Sequence, residues 1–592
     1  MSEHMLSVFS PVAAAVTELS VAAGASVQKG QQLAMLESMK MQTPVYAPEA
    51  GKLKRWCINA GDTIQKATLL CELDSDVSVA VDARSPEPDV AHGNLLEELR
   101  ARLALSEDSQ RVEQTRKRHE KGFRSARENL HHLCDADSFI EYGQFAVAAQ
   151  RQRRELDTLR RETQGDGIIT GLGAINKSIF GAERAQAVVI INDYSVLAGT
   201  QGYFHHKKLD RALSLASEKN LPLVMYTEGG GGRPGDTDVL TQFAGLNVPT
   251  FARWAALRGK VPRIAVNNGY CFAGNAALFG AADIRIATRQ SWIGMAGPAM
   301  IEGGGLGRFS PKDIGPMESQ SRNGVVHLLA DDEAQATELA KKALGYFQGP
   351  LTDWQCSDQN DIGDILPADR RYAYDVRRII AQLTDSDSVL ELNADYGAAV
   401  LTALVRFEGK PAGLIASNCR DMGGAVDAEA ADKTADFIEL CNAFGLPLVS
   451  LVDTPGFMVG PDSEDEAAVR RMSRLFAAGA QAEVPWVAIF LRRAYGLGAM
   501  ALTGGSFERP VYAASWPSGE FGAMGLEGAV RLGFKKELES ANSEAEKQAL
   551  FESLLAAAYD QGKAIEAASY LEFDAVIEPA DTRSAIILAL NS

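Results

Sequence analysis

The sequence predicts an α/β protein: a small β-sandwich at the N-terminus, then two copies of one larger α/β unit. Three observations lead there. A short pattern recurs 37 residues on (Gly24 to Gly61), a long one recurs 225 residues on (Lys208 to Lys433), and the apolar runs of the long repeat end in glycine-rich turns. At 592 residues the chain has room for about three or four domains.

The short repeat comes first. "VAAGASVQKGQQLAMLE", from Val21, is followed by "INAGDTIQKATLLCELD", from Ile58. Gly24 meets Gly61, Val27 meets Ile64, Leu33 meets Leu70 and Leu36 meets Leu73. Each copy reads as glycine turn, short strand, turn, strand, and two such units pack as a sandwich over residues 4–74. Between the copies lies "LESMKMQTPVYAPEAG". Its Lys40, flanked by Met39 and Met41, falls where a tight turn joins the two halves, and Pro44 and Pro48 suit edge or turn positions. Residues 75–114 read as a linker and a helix. "DSDVSVAVDARSPEPDVAHG" is polar and carries two prolines, whereas "LLEELRARLALSEDSQRVEQTRKRHEKGF" has helical spacing and many charges. We read that helix as a solvated prop for the next domain.

The long repeat fills residues 115–350 and 351–592. "NLPLVMYTEGGGG", from Asn220, corresponds to "GLPLVSLVDTPGF", from Gly445. At the same distance Gly199 meets Gly424 and Tyr270 meets Tyr495. In each copy a helix leads to an apolar strand and a glycine-rich turn, then to a second strand with its own turn into a helix.

Composition narrows the function. With 77 acidic and 59 basic residues the formal charge is −18, which disfavours nucleic acid as a partner. The seven cysteines form no C-x-x-C pair, so neither a disulfide framework nor a zinc site is expected. No apolar run reaches the length of a membrane span, and the start "MSEHMLSVFSP" has no signal-peptide pattern, so the expected location is the cytoplasm. The eight histidines, including the pairs His131–His132 and His205–His206, read as surface or helix-cap residues.

Four turns carry the chemistry: "EGGGGRPG" (228–235), "CFAGNAAL" (271–278), "DTPGFMVG" (453–460) and "AYGLGAMAL" (494–502). Glycine lets backbone N–H groups approach a ligand closely, and a following helix adds its positive end. Two converging amides make an oxyanion hole. A single such turn is more often tight packing; four at matched places in a repeat favour function. None has the order of a phosphate-binding P-loop or a dinucleotide fingerprint, and no nucleophile–base constellation stands out. The expectation is an enzyme that works through backbone donors without a side-chain base.

Two resemblances follow from these residues. "ESMKM", centred on Lys40 between the half-repeats, resembles the biotinyl-lysine hairpin of a biotin carboxyl carrier domain. Residues from about 115 to 590 resemble the β-type carboxyltransferase of acyl-CoA carboxylases, through "FRSARENLHHLCDADSFIEYG", "LPLVMYTEGGGGR", "GAVDAEAADKTADFIELCNAFGLPLVSLVDTPGF", "RRAYGLGAMAL" and "WPSGEFGAMGLEGAV". The resemblance implies two crotonase-like ββα-superhelix domains and biotin as a covalent cofactor on Lys40, attached by a biotin ligase. It implies transfer of CO₂ from carboxybiotin to the α (or vinylogous) carbon of an acyl-CoA, with biotin itself removing the α-proton, and so explains the missing base. It further implies a separate biotin carboxylase subunit and a homo-oligomer, a hexamer above all.

By motif position the resemblance places the thioester-side hole at Gly230 and Gly231 and the biotin-side hole at Gly496, Leu497 and Gly498. It places Gly456 and Phe457 along the path of biotin and Gly274 at the substrate. Lys208 and Arg233 become candidates to meet the phosphates of CoA, with a structural ion pair as the alternative for each. Two departures touch acyl specificity: Met500 stands where short-chain enzymes carry an acidic residue, and "EGGGGR" replaces the usual "DSGGAR". The competing readings are a decarboxylase or transcarboxylase acting on malonyl- or methylmalonyl-CoA, and a non-catalytic carrier scaffold, against which the four intact turns argue.

Overall fold

The computed structural model describes residues 4–75, 91–239 and 247–591. Most of the expected linker lies outside them. The chain divides into two compact units, Met1–Arg100 and Ala101–Ser592.

The first unit is a sandwich of eight strands: β1 (Met5–Phe9), β2 (Ala14–Leu19), β3 (Ser26–Val27), β4 (Gln32–Ser38), β5 (Met41–Tyr46), β6 (Gly51–Trp56), β7 (Thr63–Ile64) and β8 (Leu69–Asp74). Its sheets run β1-β8-β6-β3 and β5-β4-β2-β7. Exchanging β1–β4 with β5–β8 turns one order into the other, so the short repeat is a twofold fold. The paired apolar residues of the repeat fill the space between the sheets: Val27, Ile64, Leu33, Leu70, Leu36 and Leu73 are all buried. Pro44 lies in β5, which pairs with β4 alone and so needs no second ladder.

Strands β4 and β5 meet in a two-residue hairpin. Ser38 pairs with Met41, and Met39 and Lys40 both take positive φ (51° and 67°). Two positive φ values define the mirror-image turn whose twist matches that of paired strands. Residues with side chains seldom adopt it, so the tip stores backbone strain at the residue the sequence singled out. Lys40 is exposed there, and Met39 and Met41 are 96% and 71% exposed.

The second unit contains two mixed sheets. The first has β9 (Ile140–Glu141), β10 (Ile168–Ala174), β11 (Gln186–Asn192), β12 (Leu223–Tyr226), β13 (Arg263–Asn267), β15 (Ile284–Thr288) and β17 (Leu328–Ala330), ordered β17-β15-β13-β12-β11-β10-β9, with a side ribbon of β14 (Tyr270–Phe272) and β16 (Trp292–Gly294). The second has β18 (Leu390–Leu392), β19 (Val400–Phe407), β20 (Lys410–Ser417), β21 (Leu448–Thr454), β22 (Trp486–Tyr495), β23 (Tyr512–Ser515) and β25 (Ala575–Val576) in that order, with β24 (Glu520–Gly522) paired to β22. The sheets fall on either side of residue 350.

Each half begins with an antiparallel pair and continues with parallel strands reached through helices, Tyr203–Lys219 in one and Ala428–Ala443 in the other. The parallel strands β12 and β21 are buried along their whole length, as strands covered on both faces must be. One difference matters for the site. Where β22 runs unbroken, the first half breaks between β13 and β14; its connection from β12 to β13 is also two residues longer, since Leu223 pairs with Arg263 where Leu448 pairs with Trp486. Phe272 pairs with Gly294 as Tyr495 pairs with Gly522. The structural counterpart of Tyr495 is therefore Phe272, two residues beyond the Tyr270 that the sequence distance selects.

The charged segment ahead of the first sheet is largely solvated, as expected, but differs in two respects. It forms the helices Ala91–Ala104 and Val112–His119, and the second sends Arg118 inward. The histidine expectation also fails in part: His205 and His206 are buried within helix Tyr203–Lys219, and burial holds both below the usual imidazole range.

Candidate active site

In the second half, β22 ends at Tyr495, Gly496 turns the chain at φ 58°, and helix Gly496–Leu502 begins. The amides of Leu497 and Gly498 lie in its first turn, where no intrahelical acceptor exists and the helix end is positive. The neighbouring turn packs against them. A Cβ on Gly498 would stand 2.5 Å from the carbonyl carbon of Gly456 and 2.8 Å from the nitrogen of Phe457. Gly498 thus lets the 453–460 turn approach the helix, in addition to any catalytic role. The Phe457 ring lies 6.1 Å from that of Phe476. Met500 is half-buried three residues beyond Leu497, which is 61% exposed.

The first half repeats this arrangement. Ala273, at φ 51°, matches Gly496, and helix Gly274–Gly280 opens with Gly274 and Asn275 in the places of Leu497 and Gly498. Gly231 (φ 88°) matches Gly456 (φ 117°), a backbone that favours glycine in both halves. The amides of the 228–235 turn, however, are engaged inside the fold. The Gly230 N–H donates to the Ala198 carbonyl at 3.0 Å, and the Gly231 N–H donates to Asn275 Oδ1 at 3.0 Å. Both amides named for the thioester-side hole have acceptors inside the fold. Residues 227–231 instead clasp the strand and helix start beyond them. Gly229 N–H donates to Tyr270 O (2.7 Å), Phe272 N–H to Gly229 O (2.9 Å), and Asn275 Nδ2 to Thr227 O (3.1 Å).

The two cations chosen for CoA phosphates are both inside the fold. Lys208 is 7% exposed, and its ammonium donates to the carbonyls of Gly165 (3.1 Å) and Ile168; burial pushes it down to about 8. Its repeat partner Lys433 caps the carbonyls of Asn393 and Tyr396 in the same manner. Arg233, also 7% exposed, bonds Asp166 (2.5 Å), Asp236 (3.3 Å) and the Thr200 carbonyl (2.7 Å). The structural alternative accounts for both side chains: they brace the loops around the glycine turn.

Glu228, the first residue of that turn, is 6% exposed and accepts two hydrogen bonds from Arg118, at 2.9 and 2.8 Å. Burial pushes its carboxyl up to about 7 in spite of the guanidinium. Its repeat partner Asp453 is fully buried between Arg492 and Arg493. The change from "DSGGAR" to "EGGGGR" therefore places a longer carboxylate beneath the turn, on a partner 110 residues away. Sequence reasoning missed Arg118, Asn275 and this pairing; the departure at 228 was the one visible sign of it.

The chain is similar to known proteins in sequence and fold. A family described as the carboxyl transferase domain matches residues 117–592, and one described as biotin-requiring enzyme matches residues 5–73. The chain is 31% identical over 493 residues to the methylmalonyl-CoA carboxyltransferase 12S subunit of Propionibacterium freudenreichii subsp. shermanii, covering 80% of this chain and 89% of that one. Its fold is similar to a single-chain, multi-domain long-chain acyl-CoA carboxylase, with a TM-score of 0.80 and 48% identity. That match covers all of this chain, which spans 56% of the length of the carboxylase. The fold is also similar to a transcarboxylase 12S hexamer with methylmalonyl-CoA bound, at a TM-score of 0.74 and 28% identity over 86% of this chain and 96% of the other. Among the described residues no helix is long and apolar enough to cross a membrane.

Proposed function

This chain belongs to the carboxyl transferase family, and on that premise we propose that it carries biotin on Lys40 and carboxylates long-chain acyl-CoA through two helix-opening backbone sites. The family membership and the biotin-requiring domain support the carboxyltransferase role in a biotin-dependent acyl-CoA carboxylase. When bound, biotin supplies a transferable carboxyl group and the base for the α-proton. An exposed amine on a tight hairpin suits that attachment, because the modifying ligase must reach it and the attached group must reach the sites of reaction.

The observation that carries the reading is the repeated turn. Leu497 and Gly498 in one half, and Gly274 and Asn275 in the other, open helices at equivalent places with amides free of intrahelical acceptors. We assign the first pair to the biotin oxygen and the second to the thioester oxygen. Gly230 and Gly231 then support the second pair through Asn275. Gly456 and Phe457 flank the first, and Lys208 and Arg233 hold loops in place. The 48% identity to a long-chain enzyme, and an apolar Met500 where an acid would narrow the pocket, support long acyl chains.

Carboxybiotin is made by a biotin carboxylase, which we place on a separate subunit. The test combines the purified, biotinylated chain with that enzyme, ATP, bicarbonate and a panel of acyl-CoAs. Product that increases with acyl length supports the reading. Decarboxylation of malonyl- or methylmalonyl-CoA alone supports a decarboxylase or transcarboxylase, as the 12S relative's name suggests, and neither outcome supports a carrier scaffold.

Assembly is a further expectation. Large apolar side chains stand exposed on both halves, Met295, Met300 and Leu306 on one and Met422, Val459 and Val469 on the other. The 12S neighbour is a hexamer. Sedimentation of the active chain is expected to show a hexamer; a fully active monomer would exclude a site shared between copies.

A further inference from the structure

We propose that Arg118 is a positioning residue for the thioester side: through Glu228 it fixes the 228–232 turn, and through that turn the amides of Gly274 and Asn275. The inference rests on the function proposed above.

The connection is continuous. Helix Val112–His119 lies ahead of the first sheet, and its Arg118 forms a two-point ion pair with Glu228. The guanidinium also lies 4.9 Å from the centre of the Phe123 ring and 5.8 Å from that of Tyr194, so its plane is held on more than one side. Arg118 Nε donates to Arg124 O at 3.0 Å. Glu228 is equally constrained. A Cβ on Gly269 would come within 2.3 Å of its Oε1, and one on Gly199 within 2.6 Å of its carbonyl oxygen. The residues after Glu228 hold β14 and Asn275 by the hydrogen bonds of Gly229 and Gly231. Moving the carboxylate therefore moves the helix start that carries the candidate hole. Arg111, just ahead of the same helix, reaches Asp193 (2.5 Å) and Ser195 (2.6 Å), so the segment grips the adjoining loop as well.

The pair is also poised to respond to pH. The groups facing Glu228 are Arg118 from the helix, Asp193 and Tyr194 from the loop after β11, Cys271 from β14, and Glu333 from helix Glu333–Gly345. Glu333 is itself raised by burial and is held by Asn129 (2.6 Å) and Asn268 (3.1 Å). Beside them is a small polar void, about 10 Å³, lined by Asn129, Asn192 and Asn268. Both amide atoms of Asn192, and Oδ1 of Asn129 and of Asn268, have no partner. It is room for about one water. Two buried carboxylates thus feel the charge of one guanidinium, only Glu228 being bonded to it, and Glu228 ionises as pH rises through about 7. Ionisation completes the ion pair that draws the turn onto Arg118.

The experiment uses the full biotinylated chain with biotin carboxylase, ATP, bicarbonate and the acyl-CoA that the panel selects, with kcat and KM measured on both sides of neutral pH. The wild-type kcat is expected to rise through one titration near 7. Glu228→Gln, which cannot ionise, is expected to lose that titration and to lower kcat by about tenfold to a hundredfold, with KM little changed. Loss of carboxybiotin without acyl-CoA should stay at the wild-type rate, which a general loss of structure would not allow. Should Glu228→Gln fail to assemble, the double variant Arg118→Met, Glu228→Gln removes both charges together and is read in the same way. A wild-type pH profile and kcat in either variant overturns the positioning role and leaves the carboxyltransferase reading intact. A wild-type chain that transfers to no acyl-CoA overturns that reading first, and this one with it.

Discussion

A chain carrying Lys40→Arg is expected to fold and assemble normally, to take up no biotin, and to transfer no carboxyl group to any acyl-CoA. Biotin is joined through an amide, which needs a primary amine that a guanidinium cannot replace. The loss is therefore complete rather than partial. The fold should not respond, because Lys40 is exposed at a hairpin tip and arginine meets the same backbone demand at φ 67°. Four other lysines of the domain serve as internal controls. Lys29 and Lys66 occupy repeat-equivalent turns, and Lys52 and Lys54 lie in β6. None sits in a two-residue hairpin. Streptavidin blotting and intact mass, after co-expression with a biotin ligase, check the result. Labelled Lys40→Arg chain, or unlabelled wild-type chain, would remove the assignment.

The variant Leu497→Pro is expected to keep the fold and to lose transfer by about 10²–10³, the effect of removing one oxyanion donor. Proline has no N–H, yet the first turn of a helix tolerates it, because the missing donor has no intrahelical acceptor there. Leu497 is the second residue of helix Gly496–Leu502, and its side chain is 61% exposed. The substitution thus deletes a backbone donor while disturbing little packing. Leu497→Ala changes the side chain and keeps the donor, so near-normal transfer is expected from it. Equal rates in the two variants would place the biotin-side hole elsewhere. Valine at the glycines would not decide the matter. A Cβ on Gly231 meets Ala273 Cβ at 2.7 Å, and one on Gly498 meets the Gly456 backbone at 2.5 Å, so both variants report packing.

The sequence by itself determined the architecture and set Lys40 at a hairpin; biotin on it is what the family resemblance implied. The 37-residue repeat specified a twofold sandwich because its glycines and apolar residues act locally: turns depend on φ, strands on alternation, and both are written residue by residue. Lys40 followed, since the junction of two such copies must be a hairpin. The 225-residue repeat likewise specified two sheets with matched helices, down to Lys208 and Lys433. The tertiary structure decided which of the conspicuous residues already have partners inside the fold. Gly230 and Gly231 looked like donors, but Ala198 O and Asn275 Oδ1 already accept from them. Lys208 and Arg233 looked like phosphate contacts, but carbonyls and carboxylates brought from other loops hold them. Arg118 looked like one charge among many on a solvated helix, and it lies against Glu228. The physical reason is the same in each case. A hydrogen-bond donor or charge seeks whichever partner the fold brings within about 3 Å, and that partner stands tens or hundreds of residues away, at no spacing a local pattern records.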